Sequence, residues 1–241
     1  SARHHTRRIR GCERIMGVAV LIIGRSATGK STSMRNMDPS SFGLINVLGK
    51  PLPFRGKVRY VATTDYDKVR ATLKGAKANA IVVDDAVYLI TDMYMTRHAD
   101  AGKGNGVFAL YNDIGDSFYS LIRFIAQELP PERVVYLMMH EDTDELGRPK
   151  LKTIGKLLDE KVTLEGMVSI VLRSVCEDGH YRFVTNGDGI TKSPDGMFAT
   201  QRIDNDLQIV DDAIRDYWGF APLTDNKKNK AEKAGKEDAN A

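Results

Sequence analysis

Eight consecutive residues carry the plainest chemistry in this chain. Gly24-Arg25-Ser26-Ala27-Thr28-Gly29-Lys30-Ser31 fits G-x-x-x-x-G-K-[ST] at every fixed position. The glycines let the backbone curl so that successive N–H groups point inward, an arrangement suited to phosphate oxygens. A helix starting at the end of the loop would add partial positive charge at the same place. Lys30 brings a compact ammonium to the β and γ phosphates, and Ser31 brings a hydroxyl to Mg²⁺. With Thr32, these residues form the candidate nucleotide-binding set. A chance match in a chain of this length is expected at roughly the one-per-cent level. An apolar strand before the loop and a helical segment after it strengthen the assignment.

Such a loop needs an acid at the tip of a neighbouring buried strand. Ile81-Val82-Val83-Asp84-Asp85 offers two. Asp84 can hold Mg²⁺ through water, and Asp85 can polarise an attacking water. Taken alone, the segment would read as a strand-ending turn. A third apolar run ends in Met138-Met139-His140-Glu141-Asp142. His140 can donate a hydrogen bond to a γ-phosphate, and Glu141 is the other candidate base; a solvent-facing histidine at a strand end is the plainer alternative. No Asn-Lys-x-Asp guanine-reading sequence occurs.

The elements that must position these groups alternate strand and helix. Strands are expected over 17–23, 44–48, 80–84 and 134–139, with an extended piece over 58–63. Helices are expected over about 29–37, 65–74 with Asp65 as cap, 87–98, 107–128 and 207–217. In 107–128, Phe108, Tyr111, Ile114, Phe118, Leu121, Ile122 and Ile125 make a stripe of helical period, read as core packing. Residues 168–175 and 181–185, joined by Glu177-Asp178-Gly179-His180, predict an antiparallel hairpin. The pattern is that of a three-layer α/β sandwich with a mostly parallel sheet and a C-terminal antiparallel edge.

Of 241 residues, 42% are hydrophobic and 28% charged, an ordinary globular mixture. No apolar run approaches the roughly 20 residues of a membrane span. Two cysteines, Cys12 and Cys176, exclude a disulfide scaffold and suit a reducing cytoplasm. The net charge of +3 is unevenly spread: residues 1–15 hold five Arg and one Glu, and 225–241 hold five Lys and four acids. Residues 16–224 hold 25 basic and 27 acidic groups, so a generally basic nucleic-acid surface is not indicated. Residues 1–15 read as an expression leader or flexible basic arm, with Met16 as the natural start, and 225–241 as a disordered polar tail. One domain over 16–224 is expected.

The segments SATGKSTSMRNMDP, LINVLGKPLPFRG, AIVVDDAVYLI, MMHEDTDELGRPKLKTIGKLLDEKVTLEGM and TKSPDGMF…IDNDL together resemble phage-encoded ATP-binding proteins. These are a compact RecA-like branch of the P-loop ATPases, related to phage single-strand-annealing ATPases. The resemblance covers nearly all of 16–219. It implies a RecA-like P-loop core, Mg-ATP binding, assembly into rings or filaments, and a role in phage DNA recombination or replication in the host cytoplasm. It also implies Lys30 and Ser31 as nucleotide residues, Asp84 as the metal residue and His140 as the sensor. Lys192, in Thr191-Lys192-Ser193-Pro194, becomes a candidate finger toward a neighbouring subunit's γ-phosphate; a solvated lysine in a Pro/Gly turn is the alternative. One departure stands out: where such enzymes often carry an activating glutamate, this chain reads Asn46-Val47-Leu48-Gly49-Lys50.

Two segments are expected to meet single-stranded DNA if the resemblance holds. The first, 99–107, has three glycines and Lys103. The second, 141–155, carries Arg148, Lys150 and Lys152, with Lys156 beyond. Neither has an aromatic platform for stacking bases, and four acids precede the basic cluster. Two other functions stay open: a nucleotide-kinase type of phosphotransferase, and a non-hydrolysing ATP-switched binding module.

Overall fold

The computed structural model describes residues 16–102, 104–154, 158 and 162–223. The arm 1–15, the tail 225–241, Lys103 and Lys156 lie outside those residues. Eight strands form the sheet: β1 (Val18–Gly24), β2 (Phe42–Asn46), β3 (Ala80–Asp84), β4 (Val134–Thr143), β5 (Pro149–Leu151), β6 (Ile170–Glu177), β7 (His180–Val184) and β8 (Arg202–Asp204). Their spatial order is β2-β3-β4-β1-β6-β7-β8, with β5 attached to the end of β4. The pairs from β2 to β6 are parallel, whereas β6–β7, β7–β8 and β4–β5 are antiparallel. The result is a mixed α/β fold with a mainly parallel central sheet.

Every residue of β1 and of β3 is buried, as expected of parallel strands covered on both faces. Side chains alternate between two cores. Leu21, Ile23, Val83 and Leu137 face α1 (Tyr66–Gly75), α2 (Val87–Arg97) and α3 (Asn105–Glu128). Val20, Ile22, Val82 and Met138 face Met34 and α4 (Leu207–Trp218). Asp65 caps α1 by accepting from the Asp67 and Lys68 amides. α4 starts at Asp206, whose side chain accepts from the Gln208 amide, and ends at left-handed Gly219.

Two expectations need correction. The segment after the phosphate loop is a 3-10 helix, Ser31–Asn36, rather than an α-helix over 29–37. Its Ser and Thr hydroxyls compete with the backbone, as when Ser33 Oγ donates to the Lys30 carbonyl at 2.6 Å. A six-residue helix offers little macrodipole, so charge on Lys30 matters more than helix polarity. The segment is held by side chains: Arg35 donates to the Asn205 carbonyl at 2.7 Å and Asn36 to Asp206 at 2.6 Å. The second candidate DNA segment, 141–155, is not the mobile loop such a contact would use: β4 runs on to Thr143 and folds back on β5. Pro149 hid this strand, which lies at an edge where a missing N–H is tolerated. Of 58–63, only Val61 pairs, bridging Ile45. Among the described residues no helix is long and apolar enough to cross a membrane.

At the N-terminal ends of the strands, Arg215 and Asp211 form a fully buried ion pair on α4. Tyr136 Oη donates to Asp211 at 2.7 Å, and Arg215 also reaches the Asn79 carbonyl at 3.1 Å. Removing one charge strands the other in apolar surroundings. Asp211→Ala is therefore expected to cost about 3–5 kcal/mol in urea unfolding. The double variant Asp211→Ala/Arg215→Met should recover a large part of that loss.

Candidate functional site

The C-terminal ends of β1, β3 and β4 converge, which is where parallel sheets place their ligands. Register brings Gly24 level with His140 and Asn46 level with Asp84. From β1 the chain turns through Arg25 to Lys30, with Ala27 and Gly29 at positive φ (65° and 94°). Glycine at 29 is required twice over. A Cβ there would meet Asn205 Oδ1 at 2.9 Å and the Tyr181 ring at 3.0 Å, besides the strained φ. Ser174 Oγ ties the loop to β6 by donating to the Thr28 carbonyl at 2.6 Å.

Lys30 is 7% exposed, and its ammonium donates to the carbonyls of Gly24 and Arg25 at 2.7 and 2.8 Å. Burial lowers its pKa from 10.5 to about 8, against the opposing pull of Asp85, Asp84 and Glu141. Ser31 Oγ donates to Asp84 Oδ1 at 2.8 Å, joining the loop to the tip of β3. The two adjacent aspartates differ. Burial pushes the Asp84 carboxyl up, with the Ser31 hydrogen bond a smaller opposing effect. Burial also acts on Asp85, but hydrogen bonds from His140 and Lys50, with their charges, hold its carboxyl below the usual value. Asp85 sits at positive φ (59°), its side chain in ion-pair contact with Lys50 and 3.5 Å from His140 Nε2. Such backbone strain concentrates at functional sites. The Tyr88 ring meets His140 edge-on, at 6.0 Å between centroids.

A cavity of about 590 Å³ collects Ser26, Ala27, Gly29, Lys30, Ser31 and Thr32 with Asp85 and His140. That volume lies in the ordinary range for small-molecule sites. Asp84 lies beneath it through Ser31. Glu141 lies elsewhere: its side chain is 1% exposed, and both oxygens accept from Arg173, at 2.8 and 2.9 Å. It lines a neighbouring cavity of about 680 Å³ with Arg25, Tyr88 and Lys152. Lys192 joins neither group; its main chain bridges Val171 of β6, level with Leu21. That is three residues below Gly24, or roughly 10 Å along the sheet. Arg148 is ion-paired with Asp144 of its own turn, and Lys150 stands opposite Asp142 in the hairpin.

No family model matches the chain, and no curated protein does. What the site can do follows from its own residues. Four lining residues were not among the candidate site residues: Lys50, Arg35, Tyr181 and Asn205. Arg35, Lys50 and Asn205 fall in the segments that carry the resemblance, but residue type and spacing give Lys50, in Gly49-Lys50-Pro51, only the end of a strand. Among the described residues no group of three or more His, Cys, Asp or Glu stands together as a metal cluster. A cation here would need ligand oxygens and water beside Ser31 and Asp84.

The depressed pKa of Lys30 has a signed consequence for stability. Below pH 8 the buried ammonium opposes folding in full; between about pH 8 and 10.5 the folded chain sheds the proton that the unfolded chain keeps. Stability should therefore gain from this group as pH rises through that window. Thermal melts of the wild type and Lys30→Met from pH 7 to 10 should show the wild type gaining relative to the variant.

Proposed function

We propose that the chain is a RecA-like P-loop ATPase that binds Mg-ATP in the Lys30 cavity and acts on single-stranded DNA as an assembly of copies. The observation that carries this reading is the 2.8 Å hydrogen bond from Ser31 to Asp84, residues 53 apart in sequence. A hydroxyl at the end of a curled glycine loop, joined to a buried carboxylate on the strand one place removed from β1, is the pair a phosphate-bound divalent cation requires. The sheet order supports the same reading, because β4 lies between β1 and β3 and brings His140 beside Gly24.

In this reading the loop amides from 26 to 31 and the Lys30 ammonium hold the phosphates. Mg²⁺, bound by Ser31 directly and by Asp84 through water, would neutralise charge on them. His140 donates toward the terminal phosphate, and Asp85 is the better placed of the two candidate bases, since Glu141 is fastened to Arg173. Because β4 carries both His140 and the β4–β5 hairpin, a change at the phosphates can reach Arg148, Lys150 and Lys152, the proposed DNA contacts. Lys192 would act only on a neighbouring copy. A non-hydrolysing switch is the second reading, favoured by the engagement of both carboxylates by cationic side chains.

Calorimetry with ATP and Mg²⁺ on the full chain tests the reading. Saturable binding is expected, with Lys30→Ala abolishing it and Asp84→Asn removing the gain from Mg²⁺. ATP turnover should rise with single-stranded DNA. Turnover that depends on a nucleoside monophosphate would instead identify a phosphotransferase, and binding without turnover a switch.

A further inference from the structure

We propose that Lys50 is a second phosphate-reading cation of this cavity, one that distinguishes triphosphate from diphosphate by exchanging its partner Asp85 for the terminal phosphate. The inference rests on the nucleotide reading above and extends it to a residue outside the phosphate loop.

The Lys50 backbone is pinned by its turn, while its half-exposed side chain is held through its ion pair with Asp85. Asn46, at the end of β2, donates from Nδ2 to the Lys50 carbonyl at 2.7 Å, and the Gly49 amide donates to the Asn46 carbonyl at 3.0 Å. Gly49 takes the left-handed conformation (φ 66°) that the turn needs, and Pro51 restricts Lys50 from the other side. The Lys50 side chain is nevertheless 55% exposed, against 6% for its partner Asp85. A four-carbon stem on a fixed base can swing its ammonium within the cavity without moving the fold. Lys50 lines the same cavity as Lys30, Ser31 and His140.

The other cations near the cavity have settled partners. Arg35 donates to the main-chain carbonyls of Thr32 and Asn205, at 3.2 and 2.7 Å. Lys30 is fastened to Gly24 and Arg25. Arg25 lines the neighbouring cavity, 3.6 Å from Glu141. The ion pair of Lys50 is with one carboxylate, and its own side chain is half exposed, so the ammonium can leave Asp85 where a stronger anion and the remaining His140 contact offset the loss. A phosphate brings more charge and more acceptor oxygens than that carboxylate. On exchange Asp85 keeps His140 at 3.5 Å and the backbone conformation that aims it, so it stays in place facing the cavity. The two states differ in ion pairing, and only the terminal phosphate discriminates between them.

The test is calorimetric titration of the full chain with Mg-ATP and Mg-ADP, comparing wild type, Lys50→Met and Lys50→Arg. The wild type should prefer ATP. Lys50→Met, which keeps the apolar stem, should bind ATP about tenfold more weakly, a loss of about 1.4 kcal/mol, and bind ADP within about twofold of the wild type. Lys50→Arg should retain most of the preference. ADP binding reports that the variant is folded. An unchanged ATP-to-ADP ratio in Lys50→Met overturns the proposal, as does equal affinity of the wild type for both nucleotides. If the wild type binds neither, it is the nucleotide reading itself that fails.

Discussion

A buried lysine is costly in any protein, and the head of this sheet is arranged around the cost of Lys30. Lys30 leans on two backbone carbonyls of its own loop and on the field of Asp84, Asp85 and Glu141. Those acids need partners in turn. Ser31 serves Asp84, Lys50 and His140 serve Asp85, and Arg173 serves Glu141. Each of the three buried carboxylates is thus satisfied by a side chain drawn from a different element. A substitution at one point therefore changes what the next group faces, and single variants here will not add independently.

The sheet order decides which residues can take part. With β4 between β1 and β3, the tips of three strands stand side by side and deliver the phosphate loop, His140 and the Asp84-Asp85 pair to one rim. The strand after them in sequence, β5, is an appendage of β4, so the hairpin that carries Arg148 and Lys150 is an extension of the His140 strand. On the other side β6 delivers Arg173 level with Ile23, where it fastens Glu141. His140 lines both cavities, whereas Glu141, one residue on and fastened to Arg173, lines only the second.

Much of this was legible in the sequence, for physical reasons. Continuous apolar runs closed by polar residues gave away β1, β3 and β4, and the turn at Asp178-Gly179 gave away the β6–β7 hairpin. The curled loop from Gly24 to Ser31 was legible because its residue types are demanded locally, by backbone curvature at Gly29 and by the burial of a single amine at Lys30. Lys50 was not, since its contact with Asp85 depends on how β2 and β3 pair, and a lysine between glycine and proline has no periodic signature. The Glu141–Arg173 pair is invisible for the same reason. The 3-10 helix and β5 were misread because Ser, Thr and Pro locally override the patterns that mark helices and strands. Lys192 stands apart from the cavity, its main chain bridging Val171 of β6.

The geometry of α4 separates two kinds of optical signal. Its first turn abuts the site, through Asp206 and the neighbouring Asn205, while its last residue is Trp218, the sole tryptophan of the chain. Twelve helical residues carry that indole about 18 Å along the helix axis from its start, into contact with Phe220. Emission from Trp218 thus reads out the integrity of the scaffold's far end. Tyr181, by contrast, is half exposed on the cavity wall, so the phenolic chromophore there is the natural spectroscopic observer of whatever enters.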